Sequence, residues 1–180
     1  MHPDAWLVVI DPQRIFADAA SQWGSPMFPD IVDPVRRLAA AGERTVVTRW
    51  VPAPDPQGSW AAYLSAWPFA NVPEGDPLLE VVPELADLGS EVVSLPTFGK
   101  WGYALQAVTG PTPHLVLTGV STDCCVISTA LAAADAGATI TVVTDACAGS
   151  TPENHRAAMD VMALYPPQIT LATTDEVLEQ

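Results

Sequence analysis

The chain holds three cysteines, Cys124, Cys125 and Cys147, and two of them are adjacent. The pair follows an apolar run, Leu115-Val116-Leu117-Thr118, that leads into Gly119-Val120-Ser121-Thr122-Asp123. A glycine and small polar residues turn a chain out of a strand, and a helical pattern opens at the cysteines. A thiol in the first turn of a helix feels the positive end of the macrodipole, which lowers its pKa and favours thiolate. Backbone N–H groups left free at a helix start can also hold an oxyanion. One short segment therefore offers a nucleophile and an electrophilic pocket together. Position alone does not separate Cys124 from Cys125, and a small buried cysteine without chemistry would look the same. An odd number of cysteines, two of them neighbours, is no disulfide framework, so reduced thiols and a cytoplasmic location are expected.

A cysteine nucleophile needs a base, and then an acid for the leaving group. Histidine is the usual choice, and the chain has His2, His114 and His155. His2 is terminal, and His114 precedes the apolar run at the end opposite Cys125. His155, in Thr151-Pro152-Glu153-Asn154-His155, starts a helical pattern and could approach only the rim. Asp11 is better placed, at the end of Trp6-Leu7-Val8-Val9-Ile10, where loss of water makes a carboxylate a better base. The only lysine, Lys100, would hold Asp11 ionised and favour thiolate.

These residues need elements to bring them together. Continuous Val/Ile/Leu runs at Trp6–Ile10, Thr45–Thr48, Glu91–Leu95, Leu115–Thr118, Thr139–Val143 and Ile169–Ala172 read as strands buried on both faces. Helical patterns over Pro29–Ala41, Trp101–Val108, Cys124–Ala136 and Pro152–Leu164, with a short one from Asp175, alternate with them. Such alternation predicts right-handed βαβ units and a parallel sheet in an α/β fold. Ligands of open α/β sheets bind beyond the carboxyl ends of the strands. There Asp11 follows strand one, Arg49 and Trp50 strand two, Lys100 strand three, Cys125 strand four and Asp145 strand five. The Pro- and Trp-rich stretch from Pro52 to Pro83, with a short helix near Ser59–Leu64, is expected to wall the pocket or form a subunit interface.

The 180 residues suit one domain, residues 1–180, and 49% hydrophobic with only 16% charged residues is a folded composition. A net charge of −14 without clustered Lys or Arg argues against nucleic-acid binding. No apolar run reaches the roughly 20 residues a membrane span needs, and Met1-His2-Pro3-Asp4, without a basic region followed by an apolar stretch, leads to the expectation of no signal peptide. A dinucleotide fold would want a Gly-rich turn after strand one, where Asp11-Pro12-Gln13-Arg14 stands, and a P-loop is absent. An aspartyl phosphatase would want a second acid at position 13, which is Gln. A receiver-type domain would leave the Gly-to-Cys segment unexplained.

Val8-Val9-Ile10-Asp11-Pro12-Gln13 with Phe16, Phe98-Gly99-Lys100-Trp101, and Gly119 to Val126 followed by Thr129-Ala130 resemble the motifs of the isochorismatase-like cysteine hydrolases. Those are the relatives of nicotinamidases, N-carbamoylsarcosine amidases and isochorismatases. Val143 to Cys147 and Thr151 to His155 look like the same family, so the resemblance spans most of the chain. It implies a Rossmann-like three-layer α/β/α sandwich with a six-stranded parallel sheet of order 3-2-1-4-5-6. It also implies an Asp11, Lys100, Cys125 triad, with the nucleophile directly before Val126. A cis peptide between Val120 and Ser121 and an oxyanion hole from the N–H groups of Ser121 and Cys125 are implied too, as is a homodimer or homotetramer.

Nicotinamidases of the family carry an Asp-Trp-His-Pro-type segment after strand two that binds a metal, with a further His. Here it reads Arg49-Trp50-Val51-Pro52, which cannot serve, so no metal and no cofactor are expected. Arg49 is a candidate for binding a substrate carboxylate or carbonyl. Phe16, Trp50, Trp60 and Trp101 are candidates for lining the pocket. The expectation is a metal-independent amidohydrolase acting on an amide, ureide or carbamoyl bond through a thioester. Its alternatives are an isochorismatase-type vinyl ether hydrolase that does without the thiol, and a non-catalytic binding member of the fold.

Overall fold

The computed structural model describes residues 2–89 and 91–179. Six parallel strands form one sheet: β1 (Trp6–Ile10), β2 (Thr45–Trp50), β3 (Glu91–Leu95), β4 (His114–Val120), β5 (Thr139–Ala148) and β6 (Ile169–Ala172). Their order is β3-β2-β1-β4-β5-β6. The helices are α1 (Arg14–Ala17), α2 (Phe28–Ala41), α3 (Ser59–Ala66), α4 (Tyr103–Thr109), α5 (Ile127–Asp135), α6 (Pro152–Met162) and α7 (Thr174–Leu178). The parallel α/β fold is the one the alternation of strands and helices predicts, and the strand order is the one the family resemblance implies. No helix among the described residues is long and apolar enough to cross a membrane.

Strand β1 shows why the sheet is buried on both faces. Leu7 and Val9 pack with Phe28, Ile31, Val35 and Leu38 of α2. Val8 and Ile10 face the other way, against Leu105 of α4 and Ala130 and Ala133 of α5. Alternate side chains thus feed two cores, which is the period-two logic of a strand. The order reverses between β1 and β4, whose register sets Ile10 opposite Gly119. Gly119 has φ 104, and a Cβ there would lie 2.1 Å from the Ile10 carbonyl oxygen, so only glycine fits this close approach of the two strand ends.

Three expectations of placement change. Arg49 and Trp50 lie inside β2, and β5 runs on to Ala148, so Asp145 is within it rather than beyond it. The continued pairing of Gly119 with Cys147 and Val120 with Ala148 past a register shift explains the length of β5. The large hydrophobic side chains most exposed among the described residues are Tyr103, Leu164 and Val92, none of them in Pro52–Pro83. The tryptophans and leucines of that stretch, including Leu64, Leu79, Trp60 and Trp67, turn inward on the core instead.

Candidate active site

The carboxyl ends of β1 and β4 meet a short segment that carries both adjacent cysteines. The Val120–Ser121 peptide is cis. Thr122–Val126 then makes a single π-type turn before α5 begins, so Cys125 sits in that turn rather than in the first turn of a regular helix. The N–H groups of Cys124 and Val126 both donate to the Ser121 carbonyl, at 3.0 and 3.1 Å. Among the described residues, neither Ser121 N nor Cys125 N donates to a backbone carbonyl outside its own element.

Asp11 ends β1 with φ 45, an uncommon conformation for a side-chain-bearing residue, and is wholly buried. Thr48 Oγ1 donates to Asp11 Oδ1 at 2.7 Å and accepts from Asp11 N at 3.1 Å. Lys100 Nζ stands 3.0 Å from Asp11 Oδ2, and both side chains are fully buried. Nζ also donates to the Thr97 carbonyl at 2.6 Å. Beyond the ion pair, Oδ2 has no well-angled hydrogen bond, which leaves lone-pair capacity on a buried carboxylate. The Thr129 hydroxyl of α5 accepts from Lys100 N at 2.9 Å and donates to the Cys125 carbonyl at 2.7 Å. The lysine segment and the cysteine segment are therefore pinned to the same side chain.

The helix-start argument for an ionised Cys125 does not hold. The adjoining Cys124 thiol, burial and the Asp11 carboxylate push the Cys125 thiol well above its ordinary value, and Lys100 only partly opposes them. Cys125 is 1% exposed, so desolvation outweighs the helix dipole there. Cys124, half-buried beside Cys125, is shifted down instead, chiefly by that neighbouring thiol. Cys147 lies in the core, its Sγ directed at the Leu117 carbonyl, and burial pushes it up.

A cavity of about 260 Å³ opens over the two thiols. Ser121, Asp123, Cys124, Cys125 and Ser150 form its polar side, and Phe16, Trp23, Tyr63, Trp67 and Phe98 its aromatic wall. Trp23 is the hub of that wall, with ring centroids 5.8 Å from Tyr63 and from Trp67, 6.0 Å from Phe16 and 6.2 Å from Phe98. Of the aromatic candidates, only Phe16 lines the cavity. Trp50 is fully buried, its ring N–H donating to the Pro96 carbonyl at 3.2 Å and its backbone clamped by Gln13. Trp60 packs on Phe98 at 4.9 Å and faces a separate hollow with Asp55 and Gln57. Trp101 packs on the core around α4 and α5. The Arg49 guanidinium reaches the Leu79 carbonyl at 3.3 and 3.4 Å instead of the cavity.

Sequence reasoning missed Gln22, Trp23, Gly24, Tyr63, Trp67, Asp123 and Ser150 as lining residues. Asp123 and Ser150 carried a local signal, because each lies within two or three residues of a strand end at the chemistry-bearing side. His155 does reach the site, but through Thr122, whose Oγ1 lies 2.9 Å from His155 Nδ1. Burial lowers the His155 pKa, against the pull of Asp123. His114 opens β4 at the far end and bonds Thr141 at 3.0 Å.

A metal ion does not fit the donors present. Arg49 points at a carbonyl, Val51 has no donor atom, and no group of His, Cys, Asp and Glu among the described residues could hold one.

A thiol beneath a cavity at the switch point of a parallel sheet, with a buried Asp–Lys pair at the same strand ends, is what this architecture presents. The isochorismatase domain model matches residues 5–176, so the chain belongs to the isochorismatase-domain family. A cysteine hydrolase from Pseudomonas syringae pv. phaseolicola 1448A is 18% identical with a TM-score of 0.84, over 99% of this chain and 93% of its own. An isochorismatase family protein from Desulfovibrio vulgaris subsp. vulgaris str. Hildenborough is 22% identical with a TM-score of 0.78, over 99% and 100%. A MAR1 ribonuclease from Caenorhabditis elegans is 21% identical with a TM-score of 0.72, over 99% and 81%. At these identities the likeness is one of fold. No curated protein sequence gives a significant match.

Proposed function

We propose that this protein is a metal-independent cysteine hydrolase that cleaves a C–N bond of a small amide, ureide or carbamoyl compound, with Cys125 as nucleophile. The observation that carries this reading is the buried Asp11–Lys100 pair at the switch point where the Cys125 segment begins, under a cavity that Cys125 lines. The neighbouring Cys124, burial and Asp11 raise the pKa of the Cys125 thiol, so attack is drawn with a base at hand rather than from a standing thiolate. Asp11 Oδ2 takes the Cys125 proton as the sulfur adds to the substrate carbonyl carbon. Lys100, as a fixed counter-charge, keeps Asp11 able to do so. The N–H groups of Ser121 and Cys125 hold the oxyanion. Collapse of the tetrahedral species breaks the C–N bond, and Asp11 returns the proton to the leaving nitrogen. Water then adds to the thioester with Asp11 again as base, releasing the acid and restoring the thiol.

The test is a screen of small amides, ureides and carbamoyl compounds for ammonia or amine release, comparing the unaltered protein with Cys125→Ala and Cys124→Ala. Turnover is expected to vanish in Cys125→Ala and to persist in Cys124→Ala. Full turnover by Cys125→Ala would falsify the mechanism.

A further inference from the structure

The cavity above Cys125 has a one-sided chemistry. Its wall is Phe16, Trp23, Tyr63, Trp67 and Phe98, and among the described residues the only formally charged side chain that lines it is Asp123. Among the described residues no lysine or arginine lines it, although Arg14, Arg49, Lys100 and Arg156 all lie toward this end of the sheet. Lys100 is fully buried and engaged by Asp11 and Thr97, and Arg49 is turned to the Leu79 carbonyl.

Asp123 is fixed in place. Ser150 N donates to its Oδ1 and Ser150 Oγ to its Oδ2, each at 2.7 Å, and Asn154 Nδ2 donates in turn to Ser150 Oγ at 2.9 Å. These neutral donors hold the carboxylate without cancelling its charge. It sits in the same turn as Cys125, two residues earlier. A substrate carboxylate brought to the thiol would meet this charge with no cation in the lining to offset it, and would lose its water against aromatic rings.

We propose that Asp123 is a specificity-determining residue that rejects anionic substrates, so that the scissile group is carried by an uncharged, apolar or aromatic body. The inference rests on Cys125 being the attacking thiol and extends that reading to the class of substrate.

Two alkylating agents of nearly equal size test it without knowledge of the substrate: iodoacetamide, which is neutral, and iodoacetate, which is anionic. With each, the Cys125 sulfur bonds to the reagent's methylene carbon and iodide leaves, Asp11 taking the thiol proton, and the modified residue is assigned by tandem mass spectrometry. Rates are taken relative to free cysteine in the same buffer. In the unaltered protein the amide is expected to react at Cys125 faster than the carboxylate by about tenfold or more, the scale of a unit-charge interaction across a few ångströms of partly solvated protein. Asp123→Asn, which keeps the shape and an acceptor for Ser150 N, is expected to lose most of that preference. Asp123→Ser serves equally if the first variant does not fold. Ser150→Ala keeps the charge and is expected to keep the preference. Equal rates with both reagents, an unchanged preference in the Asp123 variants, or the same loss in Ser150→Ala would each overturn the filter while leaving the nucleophile assignment standing. Silence of Cys125 toward both reagents would instead overturn that assignment, and the filter with it.

Discussion

Beneath the cavity Asp11, Lys100 and Thr48 are 0% exposed and Cys125 1%, whereas Trp23, Tyr63, Trp67 and Phe98 around it are all only partly buried. The floor is built from strand ends and its polar groups are tied by short, directional bonds. The wall comes from loops and the short helices α1 and α3, and it is held by ring-on-ring packing about Trp23. Directional bonds fix geometry to fractions of an ångström, as proton transfer demands, while aromatic packing supplies area and shape. Chemistry and selectivity are thus assigned to parts with different tolerances.

The sharpest way to break the contrast is at the ion pair. Lys100→Met leaves the Asp11 carboxylate buried without its counter-charge and is expected to cost about 3–5 kcal/mol of stability, read by urea unfolding, and to abolish turnover. Adding Asp11→Asn should recover much of the stability and none of the activity. Trp23→Ala, at the centre of the wall, is expected to cost about 3 kcal/mol and to raise KM more than it lowers kcat, because it removes binding surface and no reacting group. A larger loss in kcat would place the wall within the chemistry.

His155 joins the two regions through Thr122, and its effect is smaller and pH-dependent. Its folded pKa lies below the ordinary 6.5, so the stability that goes with the neutral ring is present above that value and is lost as pH falls through the folded pKa. His114, at the other end of β4, is shifted in the same direction by burial and by His2. Unfolding midpoints between about pH 7 and about pH 5 should therefore fall less steeply in His155→Asn, with His114 supplying the remaining slope. Only the His155 change is expected to touch activity. The smallest effect expected is that of Arg49→Ala, within about 0.5 kcal/mol in stability and with KM unaltered. A raised KM there would return Arg49 to the substrate.

The floor was legible in the sequence because its parts lie at strand ends, where continuous apolar runs announce the boundary and the residue that follows. Asp11 after Ile10 and the Gly119–Cys125 segment after Leu117 could be placed this way, and the lone Lys100 stood out by scarcity. Arg49 and Trp50 obeyed the same rule of position and misled, because β2 runs two residues further than its β-branched core suggests. That Pro52–Pro83 and Phe16 contribute to the wall was legible, but not which rings of that stretch face the thiols. Whether Trp60 or Trp67 faces the thiols depends on how α3 folds back on Phe98, and no local pattern encodes that. The ionisation of Cys125 misled for a related reason: position in a turn can be read from sequence, but the depth of burial cannot.

Thr129 carries a consequence for how such a site could change. One hydroxyl spans Lys100 N and the Cys125 carbonyl, so segments far apart in the chain behave as one mechanical part. A shift of α5 cannot retune the nucleophile without displacing the lysine. Variation that alters what the protein accepts is thereby channelled into positions such as Trp23, Tyr63 and Trp67, where a replaced ring reshapes the opening and leaves the proton path in register.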